Sequence, residues 1–297
     1  MPKQCNEGSI RRLPDGTVEV SITGKTSLAG MPDVICDNPE DPEDQRIYRK
    51  IFSETPIYLP DEYDKAVREI LRTGNDIIVL GANGYSSLTE EKCQAWGVRH
   101  GAYEAACESL LYNMVRFIQD HFPGVDIRFA HGASHMGVDG AIIATANALN
   151  RPQLGHSCPK FMFYVEDNGI PVYVANTQAE YADAFIESLD ILVAANGRKQ
   201  AFQHDIAAAF EKLKHVIPVN VLRSISDTGG PPAIGADGHI EDAVAAFEQR
   251  VHMMAMQLGF TTADRWTELV EHLNATTITI CRRLLSPARA FQVTKPA

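Results

Sequence analysis

From about Tyr58 onward the chain alternates short apolar runs with longer stretches whose apolar residues recur every three or four positions. The pattern predicts a helix over Asp61–Arg72, a buried strand IIVL at 77–80 and a loop GANGYSS at 81–87. A long helix is expected over Glu90–Phe122, with Trp96, Val98, Tyr103, Leu110, Leu111, Met114 and Ile118 on its apolar side. Next come a strand at 126–130, the loop HGASHMG at 131–137 and a helix at 138–150. Strands at 161–165 and 171–175 follow, then a helix near 179–188, a strand at 190–194, a helix at 199–213 and a strand at 216–221.

Strands rich in Val and Ile, each about one helix length from the next, imply parallel pairing through crossover helices. The expected class is therefore α/β, a Rossmann-like parallel sheet with helices on both faces. Residues 1–60 are polar and turn-rich and read as an N-terminal extension with one edge strand at Val18–Ile22 and an acidic loop at Asp37–Gln45. The core spans 61–238 and ends in a Gly/Pro loop, DTGGPPAIGADG, at 227–238. Residues 239–297 should form C-terminal helices at about 240–257 and 262–285, the second with Trp266, Leu269, Leu273 and Ile278 on one side. They either pack on the sheet or form a homodimer seam, and their apolar content exceeds what one sheet face requires.

The formal charge of −11 opposes a nucleic-acid backbone or an anionic membrane, and no run of five Lys or Arg breaks it. Small anions remain open, because backbone N–H groups at a helix start supply local positive potential. The six cysteines contain no C-x-x-C pair and read as reduced thiols. With no H-E-x-x-H and no G-x-S-x-G, neither a metal site nor a serine nucleophile elbow is expected. The N-terminus lacks an apolar h-region and no stretch is long enough to span a bilayer, so a cytoplasmic location is the expectation.

Ligands of an open parallel sheet sit beyond the carboxyl ends of its strands. That rule selects Gly81–Ser87, His131–Asp139, Ala195–Gln200 and Ser224–Gly235. The leading segment is FAHGASHMGVDGAI, where Gly132, Ala133, Ser134 and Gly137 separate a strand from an apolar helix, and His135 offers a donor. Small residues there would let amides approach a phosphate at the helix start. Gly81, Asn83 and Ser86 in the first loop, and Asn196, Gly197 and Gln200 in the third, are further ligand-binding candidates. Asp205 and Arg198, on and before the helix after the 190–194 strand, form a carboxylate and cation able to grip ribose and phosphate together.

HGASHMG resembles the glycine-rich GGGSxGLMG loop of the "lonely guy" phosphoribohydrolase family. IIVLGANGYSS and SLDILVAANG resemble that family's first strand with its Gly/Ser loop and its later strand and turn, over roughly residues 75–222. The family's PGGxGTxxE signature stands here as AANGRKQAFQHD, with Gly197 in place and Asp205 two residues beyond the aligned position, Gln203. DIAAA at 205–209 also resembles the ExGxA run of nucleoside deoxyribosyltransferases. Both resemblances imply chemistry at a bond between base and sugar, with Asp205 as the acid and Arg198 beside it, and the first implies a dimer. An N-glycosidic bond breaks through an oxocarbenium-like state that a carboxylate near C1′ stabilises.

The expected function is nucleotide binding with cleavage or transfer at the N-glycosidic bond of a nucleoside 5′-monophosphate or related nucleotide, with no resident cofactor. The alternative is a non-catalytic nucleotide sensor on the same scaffold. An NAD(P) oxidoreductase is disfavoured, since no strand is followed by G-x-G-x-x-G.

Overall fold

The computed structural model describes residues 8–23, 35–36, 47–86, 88, 90–96, 98–196, 205–206, 208–209, 212, 214–219 and 221. The helices expected at 240–257 and 262–285 and the loop at 227–238 lie outside these residues, as do Gly197, Arg198 and Gln200.

The segment expected as an edge strand, Val18–Ile22, instead has a hydrogen-bonded neighbour on each side. Strands β1 (Ser9–Arg12), β2 (Val18–Thr23), β3 (Ile35–Cys36) and β4 (Ile47–Phe52) form an antiparallel sheet in the order β1-β2-β4-β3. Val18, Val20 and Ile22 alternate along β2 and, with Phe52, bury one face against Met162, Phe163, Val165, Val172 and Val174. A fifth strand, β5 (Ile57–Tyr58), leaves this sheet and pairs in parallel at the edge of the main one. Asp167 ties the two sheets together, its carboxylate accepting the backbone N–H groups of Ser53, Glu54 and Thr55. Burial would raise that carboxyl, but these N–H groups hold it down at about 2.

The main sheet has seven parallel strands in the order β11-β10-β6-β7-β8-β9-β5. They are β6 (Ile77–Gly84), β7 (Asp126–His131), β8 (Gln153–Ser157), β9 (Val172–Val174), β10 (Ile191–Ala195) and β11 (His215–Pro218), together with β5. Helices α3 (Ala102–His121) and α4 (Gly137–Ala148) cover one face through Tyr103, Leu111, Val115, Ile118, Ala141 and Ile142. The other face packs on α1 (Tyr63–Ala66), which continues as a wider helical turn over Val67–Leu71, and on α5 (Gln178–Ser188). Each fully buried Leu, Ile or Phe here contributes roughly 2 kcal/mol. The result is a Rossmann-like α/β architecture, as the alternating pattern predicted.

Three further expectations are corrected. The long helix at 90–122 is two helices, α2 (Glu90–Trp96) and α3, because Gly101 precedes α3 with φ of +79°, a left-handed turn that a continuous helix cannot contain. The strand expected at 161–165 is a 3-10 turn, Met162–Tyr164, whose apolar side chains plug the cluster under β2. The strand in that part of the sheet is β8, QLGHS, which lacks an apolar run because Gln153, His156 and Ser157 are buried polar residues. Finally, β6 runs on through Gly84, so Gly81 is not a loop residue. A side chain there would meet Leu189 Cδ2 at 2.5 Å and the Ala130 carbonyl at 3.0 Å, so this glycine serves close packing of strand against the α5–β10 connection.

Candidate functional site

The chain moves outward from β6 through β7, β8 and β9, then returns to place β10 on the other side of β6. Connections on either side of this point run over opposite faces, the arrangement that in open α/β sheets places a ligand crevice beyond the carboxyl ends of the strands, here β6 and β10. Asn83 and Gly84 end β6 in register with Ala194 and Ala195 of β10. Tyr103 locks the pair together: its hydroxyl donates to the Ala195 carbonyl at 2.6 Å and accepts the Tyr85 N–H at 3.0 Å. A side chain on Gly84 would lie 2.2 Å from that hydroxyl, which accounts for glycine at the mouth. Asn196, the first residue past β10, is buried and takes a left-handed φ of +65°, as Asn does more readily than most residues. Ser86 is exposed at the rim.

Asp205 enters this crevice from the segment after β10, with its Oδ2 3.5 Å from Asn83 Nδ2. Ile206 and Ala209 pack into the core beside α5, so the same helical segment that anchors below presents Asp205 above. Opposite stands Asp139, third residue of α4. Its Oδ1 accepts the Gly132 N–H at 2.7 Å. A carbon placed on Gly132 would lie 2.6 Å from Asp139 Oδ2 and 3.0 Å from Tyr181 Oη. Gly132, Asp139 and Tyr181 thus form one group and Asn83 and Asp205 another, close enough for the Asp205 charge to act on both Asp139 and Tyr181.

Burial, and then the Asp205 charge, push the Asp139 carboxyl up to about 7, against the lowering influence of the Gly132 N–H. Burial and the same two acids hold the Tyr181 hydroxyl well above its ordinary range, so it stays protonated. Asp139 and Tyr181 are the residues that sequence reasoning left out of the site. The signal available for Asp139 was an acid in the first turn of the helix that follows the glycine-rich loop. Tyr181 is a weaker candidate in the sequence, where its place on the helix after PVYVANTQ suits a surface residue better, whereas its hydroxyl lies 3.0 Å from a carbon placed on Gly132.

The loop itself is more self-contained than an open phosphate cradle. The Gly132 N–H is held by Asp139, the Ala133 N–H by His131 Nδ1, the Met136 N–H by Ser134 Oγ and the Val138 N–H by the Tyr85 carbonyl. Ala133 has a φ of +60° and turns its methyl group into the cluster under the N-terminal sheet. Gly137, with φ of +58°, brings its α-carbon against the backbone of Tyr85 and Ser86. His135 points away from Asp139, its Nδ1 2.8 Å from the Tyr164 carbonyl. His131, four residues earlier, is fully buried, so these two rings diverge; among the described residues no group of three or more His, Cys, Asp or Glu could hold a metal.

A cavity of about 520 Å³ lies at the opposite edge of the sheet, between the turn after α1 and the starts of β7, β8 and β9. Its Arg128 is spent on Asp126 and the carbonyls of Ile70 and Thr73, which marks it as a brace for that edge.

Buried histidines set the acid response. Burial pushes His131 down to about 4, while burial and then His131 push His156 to about 3. Both are neutral in the fold and charge in the unfolded chain below about pH 6.5. Their contribution is fully present above that pH and is lost as pH falls toward the folded values. Asp139 acts in the other direction: it keeps a proton that the unfolded chain releases above its ordinary 3.8, so its contribution is lost as pH rises through about 7. Between about pH 4.5 and 5.5, unfolding therefore takes up nearly two protons and releases nearly one, and stability should fall by about 1.2 kcal/mol per unit of acidification. Asp139→Asn removes the opposing proton and should roughly double that slope. Urea melts across this range measure it, and parallel slopes in the two proteins would contradict the assignment.

No family model matches the chain, and no curated protein matches it. Among solved structures it is similar to the molybdenum cofactor carrier protein MCP from Chlamydomonas reinhardtii, at 15% identity and a TM-score of 0.33 over 58% of this chain and 96% of that one. It is similar also to the molybdenum cofactor binding protein from the phototrophic bacterium Rippkaea orientalis, at 15% identity and a TM-score of 0.33 over 60% of this chain and 99% of that one. No helix among the described residues is long and apolar enough to cross a membrane. By its own strand order, the chain is a Rossmann-like α/β protein with two carboxylates and a tyrosine at the point where the sheet changes direction.

Proposed function

We propose that this crevice binds a nucleotide and that the protein cleaves or transfers at the N-glycosidic bond of a nucleoside 5′-monophosphate or a related nucleotide. The observation that carries the reading is Asp205, held beside Asn83 at the carboxyl end of β6, where a switch-point ligand would lie. A carboxylate so placed faces the charge that develops at C1′ as the base departs. Asn83 offers an amide to a ribose hydroxyl. The phosphate is assigned to the start of α4 around residues 134–137, with Arg198, three residues past β10, as its counter-charge.

The test is incubation with a panel of nucleoside 5′-monophosphates, following free base and ribose 5-phosphate. Release of base from at least one supports the reading. Tight binding with no release supports the nucleotide sensor. Self-association through residues 240–285 is proposed as well. Light scattering at micromolar concentration should give about twice the chain mass of 32.7 kDa, and a monomer would refute it.

A further inference from the structure

We propose that Asp139 is the second catalytic residue of this crevice, the acid that hands its Oδ2 proton to the departing base while the Asp205 carboxylate faces the sugar carbon. The inference rests on the N-glycosidic reading above. Its basis is the orientation of one carboxyl group. The Gly132 N–H pins Oδ1 at 2.7 Å and so leaves Oδ2 to carry a proton. That oxygen and the Tyr181 hydroxyl converge above the Gly132 α-carbon, within 2.6 Å and 3.0 Å of the same point. Asn83, buried at 6% exposure, holds Asp205 on the other side.

The groups that face Asp139 can be named element by element. Asp205 comes from the segment after β10, Tyr181 from α5, and the Gly132 N–H from the end of β7; Cys158 lies beyond, felt at Tyr181. No cation among the described residues acts on Asp139. Burial favours the neutral form of Asp139, and the Asp205 charge adds a smaller push in the same direction. The two acids then divide the work as paired carboxyls do in glycoside cleavage.

The step balances as follows. The bond from C1′ to the base nitrogen breaks and its electron pair leaves with the base. The Asp139 Oδ2 proton moves to that nitrogen. A water oxygen bonds to C1′ and gives its proton to Asp205, so the pair ends with one proton, as it began, and the products are free base and ribose 5-phosphate.

A substrate pair separates this role from a structural one. Adenine needs a proton to depart, whereas the nicotinamide of nicotinamide mononucleotide leaves as a neutral molecule without one. Asp139→Asn should slow adenine release from AMP by about a hundredfold or more and nicotinamide release by less than about fivefold. In the native protein, kcat for AMP should fall above about pH 7 while kcat for nicotinamide mononucleotide stays level there. Thermal melting confirms that the variant is folded, and Asp139→Glu provides a second variant that should recover part of the AMP rate. Equal losses on both substrates, or no loss, overturn the role of Asp139 and leave the N-glycosidic reading standing. Native protein that splits nicotinamide mononucleotide alone does the same. Native protein that releases base from nicotinamide mononucleotide and from every member of the nucleoside 5′-monophosphate panel in no detectable amount overturns both.

Discussion

Asp205→Asn is expected to slow base release from a nucleoside 5′-monophosphate by about a hundredfold or more, close to 3 kcal/mol in the barrier, with little change in nucleotide affinity. The two effects separate because the carboxylate meets a full positive charge only as the C1′ bond breaks. The ground-state ligand presents no such charge. Asparagine keeps the shape and the contact with Asn83 Nδ2 while removing the negative charge. A second consequence follows inside the protein. The Asp205 charge helps raise the Asp139 carboxyl, so its loss should move the basic limb of the pH–rate profile to lower pH. Single-turnover rates with calorimetric affinities test the first effect, and a pH series on the residual activity tests the second. Full activity in the variant would make Asp205 a bystander.

Gly137→Ala should be the most damaging single substitution in the loop, costing on the order of 3–5 kcal/mol of stability. The backbone there has φ of +58°, and an added Cβ would lie 2.1 Å from the Tyr85 carbonyl oxygen and 2.5 Å from the Ser86 carbonyl carbon. Both neighbours are backbone and cannot swing aside. The Val138 N–H bond to the same Tyr85 carbonyl would be broken with them, which detaches α4 from the end of β6. Gly101→Ala is the control, since Gly101 has φ of +79° but nothing within 4 Å of the added carbon. It should cost only about 1 kcal/mol, the strain of the left-handed backbone. Denaturant melts of the two variants give the comparison. Equal losses would mean that the approach of residue 137 to the β6 terminus contributes nothing.

Much of the framework was legible in the chain. Buried strands such as IIVL and ILVA betray themselves because both faces of a parallel strand meet apolar helices, so nearly every position is apolar. The helix at 137–148 and the turn before it were equally plain. The misread strand at 161–165 shows the limit: an apolar run records that a segment is buried and leaves open whether it pairs with a strand or fills a cluster. β8 shows the converse, since Gln153, His156 and Ser157 are buried by neighbours that lie far away in sequence.

The site divides along the same line. Segments at the ends of three strands of the parallel core could be nominated from sequence, because βα turns at a carboxyl edge follow from strand order alone, and Asn83 and Gly132 were nominated that way, whereas Asp205 was nominated through the family resemblance. What brings Asp139, Tyr181 and Asp205 within electrostatic reach of one another is the return of the chain across β6, which joins segments separated by up to 66 positions. Local periodicity determines which residues face a core, since it depends on the geometry of one helix or strand. Charge coupling between two carboxyls depends on distance through a low-dielectric interior, and only the folded sheet sets that distance.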